Sequence, residues 1–296
     1  MNPVTISCHM ALFMVRYGEI ALKSPGVRRM FERALAQNLA SRFEKGGKEC
    51  RIGLERGRVF LWADDPAFAS QALARTFGVV SYSVVHETTS KREDIFCKAV
   101  DLSKPLFRQG TRFRVTARRS GQHTFTSMEL ARDAGSAVFL ANEHLAPKVD
   151  LTNPDVEIFI EVRHHRSYVY TGSSPGPGGM PLGTQGRVIG MVNQKRDIAA
   201  CWLMMKRGCR VIVRTADPGL AEPLRPWAPG LRTVQAADAD LPRLASRKRA
   251  DGICVGWSAA EFDGDSVILK AGLPVFYPLM GLADGQVEAL LNKIGA

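Results

Sequence analysis

Apolar side chains recur along the first part of the chain with two spacings that predict different elements. The mostly apolar run at residues 11–17, ALFMVRY, predicts a strand. Over residues 24–43 the apolar positions recur at helical spacing, with Ser24 suited to cap the helix. Two short strands are expected around a turn at residues 56–57, and a second helix over residues 65–78. The order strand, helix, strand, strand, helix is typical of a ferredoxin-like unit, which we place in residues 1–78.

After residue 78 a new series of strand and helix patterns begins, which predicts a second α/β unit in residues 79–173. A strand is expected over 80–88, and Ser90 with Glu93 has the spacing of a capping box at the start of a helix. An alternating strand at 111–120, a helix at 126–143 and a strand or hairpin over 155–173 complete this unit.

A third unit is expected in residues 174–296, because strands and helices alternate there. Residues 172–186, GSSPGPGGMPLGTQG, hold six glycines and three prolines, which is typical of a linker rather than of a regular element. The strand, helix, strand order that follows favours a parallel sheet with a Rossmann-like arrangement. The fold class is therefore α/β throughout.

Composition adds a partner class to this picture. The 296 residues carry a net charge of +11 and the pI is about 9.6, so a polyanion such as nucleic acid is the first candidate partner. No apolar run approaches the roughly 20 residues that span a bilayer, and the N-terminus has no basic segment typical of a signal peptide. We expect a cytoplasmic protein without a membrane partner.

The cysteines and histidines do not predict a metal site. None of the six cysteines forms a C-x-x-C pair or lies at ligand spacing from a histidine. Cys201, Cys209 and Cys254 fall at apolar positions and are interpreted as core residues. Residues 164–166, HHR, are interpreted as a solvated strand end, since adjacent residues of a strand face opposite sides.

The strongest local signal for nucleic acid lies in residues 106–123, LFRQGTRFRVTARRSGQH, which contain five arginines and no acid. On a strand, Arg112, Arg114 and Arg118 share one face, and guanidinium groups bind backbone phosphates well. A solvated edge strand protected by charge is the alternative interpretation.

Four segments together resemble the tRNA 4-thiouridine synthetases, the ThiI family. They are RYGEIALKSPGVRRMFERAL at 16–35, FRVTARRS at 113–120 with FTSMEL and Gly135 behind it, GPGGMPLGTQGRVIGMV at 176–192, and WLMMKRG at 202–208. The resemblance implies a ferredoxin-like unit, a THUMP domain and a PP-loop domain of the adenine nucleotide alpha hydrolase-like kind. It also implies that the first two bind the tRNA acceptor end, that the third adenylates uridine 8 with ATP, and that the protein forms a homodimer. A persulfide sulfur would then displace AMP. The positions carried over as the tRNA surface are Arg16, Lys23, Arg28, Arg29, Arg112, Arg114, Arg118 and Arg119.

The third unit departs from the family at the nucleotide loop. The family pattern S-G-G-x-D-S falls on residues 193–198, NQKRDI, and only Asp197 is retained. Loss of both glycines hinders close approach of the backbone to phosphates. The candidate nucleotide-binding residues are Gly183, Asn193, Lys195, Arg196 and Asp197, and the alternative for Asp197 is a helix N-cap.

Three interpretations stay open. The first is a tRNA-binding protein of 4-thiouridine biosynthesis without adenylation activity of its own, acting as an accessory protein. The second is an active ATP-dependent sulfurtransferase that makes 4-thiouridine at position 8, with Lys195, Arg196 and Asp197 in an unorthodox nucleotide site. The third is a scaffold whose basic faces provide only solubility. No catalytic residue is assigned apart from Asp197 as a remnant, no metal is expected, and ATP is the single candidate cofactor.

Overall fold

The computed structural model describes residues 10–55, 57–237, 240–262 and 272–296. They form two compact units, which are considered separately. The first contains Phe60–Pro66, Tyr82–Ser174 and the described residues up to Val15. The second contains Arg16–Val59, Ala67–Ser81 and the described part of Pro175–Ala296.

The described chain contains both helices and strands. The α-helices are α1 (Pro25–Lys45), α2 (Pro66–Ala74), α3 (Arg92–Ser103), α4 (Ser127–Ala141), α5 (Lys195–Lys206), α6 (Leu241–Lys248) and α7 (Asp284–Ile294). The strands are β1 (Ala11–Arg16), β2 (Cys50–Glu55), β3 (Arg58–Ala63), β4 (Ser81–Val84), β5 (His86–Thr89), β6 (Arg112–Ser120), β7 (Lys148–Val149), β8 (Val156–Arg163), β9 (Arg166–Tyr170), β10 (Ser174–Pro175), β11 (Arg187–Met191), β12 (Arg210–Arg214), β13 (Arg232–Val234), β14 (Gly252–Cys254) and β15 (Val275–Phe276).

The ferredoxin-like part places β1 between β4 and β3 in one sheet. β1 is buried along its middle, because Phe13, Met14 and Val15 contribute apolar side chains to both of its faces. The single strand expected over 80–88 is two strands. The amide of Val85 donates to the carbonyl of Leu12, β4 ends before it, and β5 belongs to a different sheet.

The second predicted unit has a sheet of strand order β5-β9-β8-β6-β7 and carries α3 and α4 on one face. Ile158, Ile160 and Val162 on alternate positions of β8 are buried in the same cluster as residues of both helices. The capping box expected at Ser90 does not form, since α3 starts at Arg92 and its N-cap residue Lys91 makes no side-chain cap. In this part of the chain α4 does have a capping box, formed by Thr126 and Glu129.

The C-terminal part is a parallel five-stranded sheet of order β13-β12-β11-β14-β15, as the alternation of elements predicts. Val188 of β11 faces a core that contains residues of α5 and α7, whereas Ile189 faces a core that contains residues of α6. Gly190 allows α5 to approach β11, because a Cβ atom there would lie 2.4 Å from the Cys201 Sγ atom. This packing fixes the loop between β11 and α5.

The glycine-rich segment predicted to be a linker is bonded to the C-terminal end of α5. The amide of Met180 donates to the carbonyl of Lys206 at 2.9 Å, and the amide of Gly183 donates to that of Gly208 at 2.8 Å. At Gly179, whose φ is +73°, a Cβ atom would lie 2.1 Å from the Lys206 carbonyl oxygen. The glycine is therefore required by a close backbone contact as well as by its dihedral angle.

Candidate functional site

The loop that follows β11 is organised by one buried carboxylate. Asp197 is 4% exposed, and its Oδ2 atom accepts hydrogen bonds from the amides of Asn193, at 2.9 Å, and Gln194, at 3.0 Å. Asp197 is not the N-cap residue suggested as its alternative role. Gln194 occupies that position, and Asp197 lies at the third residue of α5, from which its side chain reaches back to the loop.

Burial raises the pKa of Asp197, and the hydrogen bonds from the amides of Asn193, Gln194 and Gly256 oppose that rise, together with the nearby charge of Arg196. Gly256, two residues after β14, approaches so closely that a Cβ atom there would lie 2.2 Å from Asp197 Oδ1. The carboxylate thus joins the ends of two neighbouring strands, β11 and β14.

The polar side chains of the loop are directed to protein groups rather than to one common point. Asn193 Oδ1 accepts a hydrogen bond from Arg214 Nη1 at 3.1 Å, and Arg196 forms an ion pair with Glu261 at 2.9 Å. Lys195 is exposed. Lys195 and Arg196 therefore differ as possible phosphate ligands, because the charge of Arg196 is already paired with the Glu261 carboxylate.

Gly183 is not brought together with the loop residues. It precedes β11, whereas Asn193 follows β11, and the two ends of this five-residue strand are about 13 Å apart. Gly183 therefore lies toward the amino-terminal edge of the parallel sheet, and residues 193–197 lie at the carboxyl-terminal edge.

Two arginines of the predicted basic face are paired with acids. Arg112 contacts Asp155 at 2.7 Å and Asp150 at 3.6 Å, and Arg114 contacts Glu157 at 2.6 Å. The pairing with Glu157 follows from the register, which places it directly across from Arg114 on β8. The sequence contained this signal, because acids occupy the positions of β8 that alternate with its buried apolar residues.

The far end of β6 keeps exposed cations. Arg118 and Arg119 are both exposed, and Glu161, which lies across from Arg118, is paired with Arg163 at 3.0 Å. β7 pairs only with the first two residues of β6, so beyond them β6 forms the edge of this sheet. Arg118 and Arg119 therefore fit both interpretations of this strand, the binding of RNA phosphates and the protection of a solvated sheet edge by charge.

The remaining predicted RNA-binding residues belong to the second unit, whereas the β6 arginines belong to the first. Arg29 is exposed, and Arg16 and Lys23 are half-buried. Arg28 lies 3.8 Å from Glu32, which also accepts the hydroxyl hydrogen bond of Tyr17. Burial, followed by the contact with Glu32, raises the pKa of Tyr17 to about 12, so its hydroxyl keeps its proton.

Comparison with known proteins decides the family. The model of the ThiI ferredoxin-like domain matches residues 12–83, and that of the THUMP domain matches residues 90–171. A "Probable tRNA sulfurtransferase" of Methanosarcina mazei is 42% identical, over 95% of this chain and 82% of that protein. This chain belongs to the tRNA sulfurtransferase family.

Two solved structures share the fold of this family member. PH1313 of Pyrococcus horikoshii has a TM-score of 0.84 and 29% identity, and the match covers 97% of this chain and 100% of that one. A 4-thiouridine synthetase crystallised with RNA and bound ATP has a TM-score of 0.78 and 21% identity, with coverage of 97% and 85%. The α/β architecture with a ferredoxin-like unit, a THUMP domain and a C-terminal parallel sheet is common to both.

Among the described residues no cluster of histidine, cysteine and acidic side chains could hold a metal ion. Within the same part of the chain no helix has the length and apolar content needed to cross a bilayer.

Proposed function

We propose that this chain binds tRNA at the acceptor end and that it does not adenylate tRNA with ATP on its own. The observation that carries the first half is a matched THUMP domain whose β6 strand ends in exposed arginines. The observation that carries the second half is the loop at residues 193–197, in which two amides and the side chains of Asn193 and Arg196 are engaged with protein groups.

The tRNA part of the proposal rests on charge placed at an accessible edge. The net charge is +11, and Arg118 and Arg119 lie where β6 pairs with β8 on one side and is no longer paired with β7 on the other. Neutralising phosphates releases counterions, so binding must weaken steeply with salt. The solved 4-thiouridine synthetase with RNA supports tRNA as the partner class. The homodimer belongs to the same proposal and is tested by light scattering of the full chain.

The second part rests on what a phosphate would meet at residues 193–197. The Asp197 carboxylate already accepts from two loop amides, and a phosphate would have to compete with it for them. Without glycines the loop backbone cannot approach phosphates as closely, and Arg196 is held by Glu261.

A salt series with tRNA tests the first part. We expect the double variant Arg118→Gln and Arg119→Gln to lower the slope of log affinity against log salt by about two, one for each lost phosphate contact. The matched control is Arg243→Gln with Arg247→Gln, two exposed arginines on α6. Equal effects of the two double variants, or no tRNA binding by the wild type, would overturn the assignment to β6.

An active ATP-dependent sulfurtransferase making 4-thiouridine at position 8 is the second candidate. Asp197 is retained at the family position, and the solved 4-thiouridine synthetase holds ATP. ATP–pyrophosphate exchange in the presence of tRNA separates the two candidates. Exchange that disappears in Asp197→Ala would establish the second candidate, whereas our proposal expects no exchange above that of a blank.

A further inference from the structure

A cationic cavity lies at the amino-terminal edge of the parallel sheet, away from residues 193–197. Its volume is about 510 Å³, and all of its lining residues belong to the second unit. Five of these residues are cations and none is an acid. The five are Arg42, Lys45, Arg187, Arg210 and Arg232.

Three of the cations come from the starts of adjacent strands. Arg187 opens β11, Arg210 opens β12, and the register places them directly across from each other. Neighbouring strands are about 4.8 Å apart, and like charges directly opposite one another destabilise a sheet. Arg232 opens β13 on the other side of β12. This arrangement concentrates positive charge that no carboxylate lining the cavity offsets.

The other two cations are held in place by backbone carbonyls. Arg42 donates to the carbonyls of Pro226 and Trp227, at 2.6 and 2.7 Å, and Lys45 donates to that of Pro229 at 2.7 Å. These carbonyls satisfy donors without neutralising charge. Burial, followed by repulsion from Arg75, lowers the pKa of Arg42 to about 10.

Two of the three strand arginines are available to a ligand, whereas Arg187 donates to the carbonyl of Lys248. Arg210 and Arg232 are exposed, and within the described part of the chain neither side chain makes a hydrogen bond or ion pair. Leu182, which is half-buried, and the buried Phe77 and Met205 are apolar residues of the same cavity wall. A cavity with an apolar wall and converging donors is typical of a site for a small ligand or for one end of a larger one.

We propose that this cavity binds a phosphate monoester, with Arg210 and Arg232 gripping the dianion and the apolar wall receiving the attached group. A guanidinium group can donate two parallel hydrogen bonds to the oxygens of a phosphate. The negative charge of the phosphate would also offset the repulsion between Arg187 and Arg210. The phosphate has two possible sources, a free mononucleotide or the 5′-terminal phosphate of an RNA. The site is independent of the proposed tRNA contacts on β6 and of the loop at 193–197.

Equilibrium binding to the full chain tests this proposal with three probes at low salt. The probes are AMP and one short RNA prepared with a 5′-phosphate or with a 5′-hydroxyl. The test variant is Arg210→Gln with Arg232→Gln, and the control of equal charge change is Arg243→Gln with Arg247→Gln. Thermal melts verify that both are folded, and Arg210→Lys with Arg232→Lys provides a milder, charge-conserving variant.

We expect the wild type to bind AMP, or to prefer the 5′-phosphorylated RNA over the 5′-hydroxyl RNA by at least about tenfold. The cavity variant should lose about tenfold or more of that affinity, since it lacks charge-assisted hydrogen bonds. The control should stay within about twofold of the wild type with every probe, and the β6 double variant should stay within about twofold with AMP. AMP binding identifies a free nucleotide as the source, and a preference seen only with RNA identifies the RNA end.

Three results would overturn the proposal. They are wild-type protein that binds no AMP and ignores the 5′-phosphate, a cavity variant that binds like the wild type, and a control that loses as much affinity as the cavity variant. Wild-type protein that binds tRNA but neither AMP nor the 5′-phosphate would contradict this proposal alone, whereas wild-type protein that binds AMP but no tRNA would contradict the proposed function alone.

Discussion

Gly256→Ala tests whether Asp197 organises the loop after β11. The substitution adds one methyl group, and no positive φ is involved, so its effect is steric rather than conformational. The added Cβ atom would lie 2.2 Å from Asp197 Oδ1 and 2.8 Å from Asp197 Cα. The second contact is with the backbone of α5, so rotation of the Asp197 side chain cannot relieve it.

The expected cost follows from these contacts. Overpacking a tight site costs about 1–3 kcal/mol, and any displacement of Asp197 also weakens its hydrogen bonds from Asn193 and Gln194. We expect a loss of about 2 kcal/mol, which lowers the Tm by about 4–8 °C in a chain of this size.

Differential scanning calorimetry of the full chain measures this effect against Gly285→Ala. Gly285 lies in α7, and a Cβ atom there would meet nothing within 4 Å. That control should leave the Tm unchanged or raise it slightly, because alanine favours the helix. A Gly256→Ala protein that melts within about 1 °C of the wild type would refute the close packing of Asp197 against β14.

Three further changes have defined outcomes. Arg42→Met should lower the free energy of unfolding by at least about 2 kcal/mol, because several backbone carbonyls lose their donor. Chemical denaturation measures this loss, and the control Arg33→Met, at an exposed position of α1, should not show it. Thr126→Ala should cost about 1 kcal/mol in the same assay, because it removes the capping box of α4, and an unchanged midpoint would contradict this. The hydrogen bond and charge of Arg112 lower the pKa of Asp155, so the stability from this pair is present above about pH 4 and is lost as the pH falls through the lowered pKa. The Tm difference between the wild type and Asp155→Asn should therefore shrink on acidification, and a constant difference from pH 2 to 6 would rule out this linkage.

The spacing of apolar residues predicted helices and strands well where only one face of the element is buried. The helical spacing after Ser24 corresponds to α1, and the alternation of apolar and polar positions corresponds to β6 and β8. It could not separate β4 from β5, because both are short and the apolar Val85 joins them without a turn residue. Only pairing with different neighbours distinguishes those two strands.

The site was less predictable, since charge pairing depends on register. Arg112 and Arg114 are indistinguishable from Arg118 along the strand, yet among the described residues only the first two have acidic partners within hydrogen-bonding distance. For this reason the pair Arg118 and Arg119 is a cleaner test of RNA binding than Arg114 with Arg118. Substitution of Arg114 would also leave Glu157 without its ion pair.

The most direct test of the central claim is ATP-dependent thiolation of tRNA by the purified full chain with a sulfur donor, measured beside its tRNA affinity. The account predicts salt-dependent tRNA binding and no 4-thiouridine in the product. Formation of 4-thiouridine that requires ATP and disappears in Asp197→Ala would contradict it.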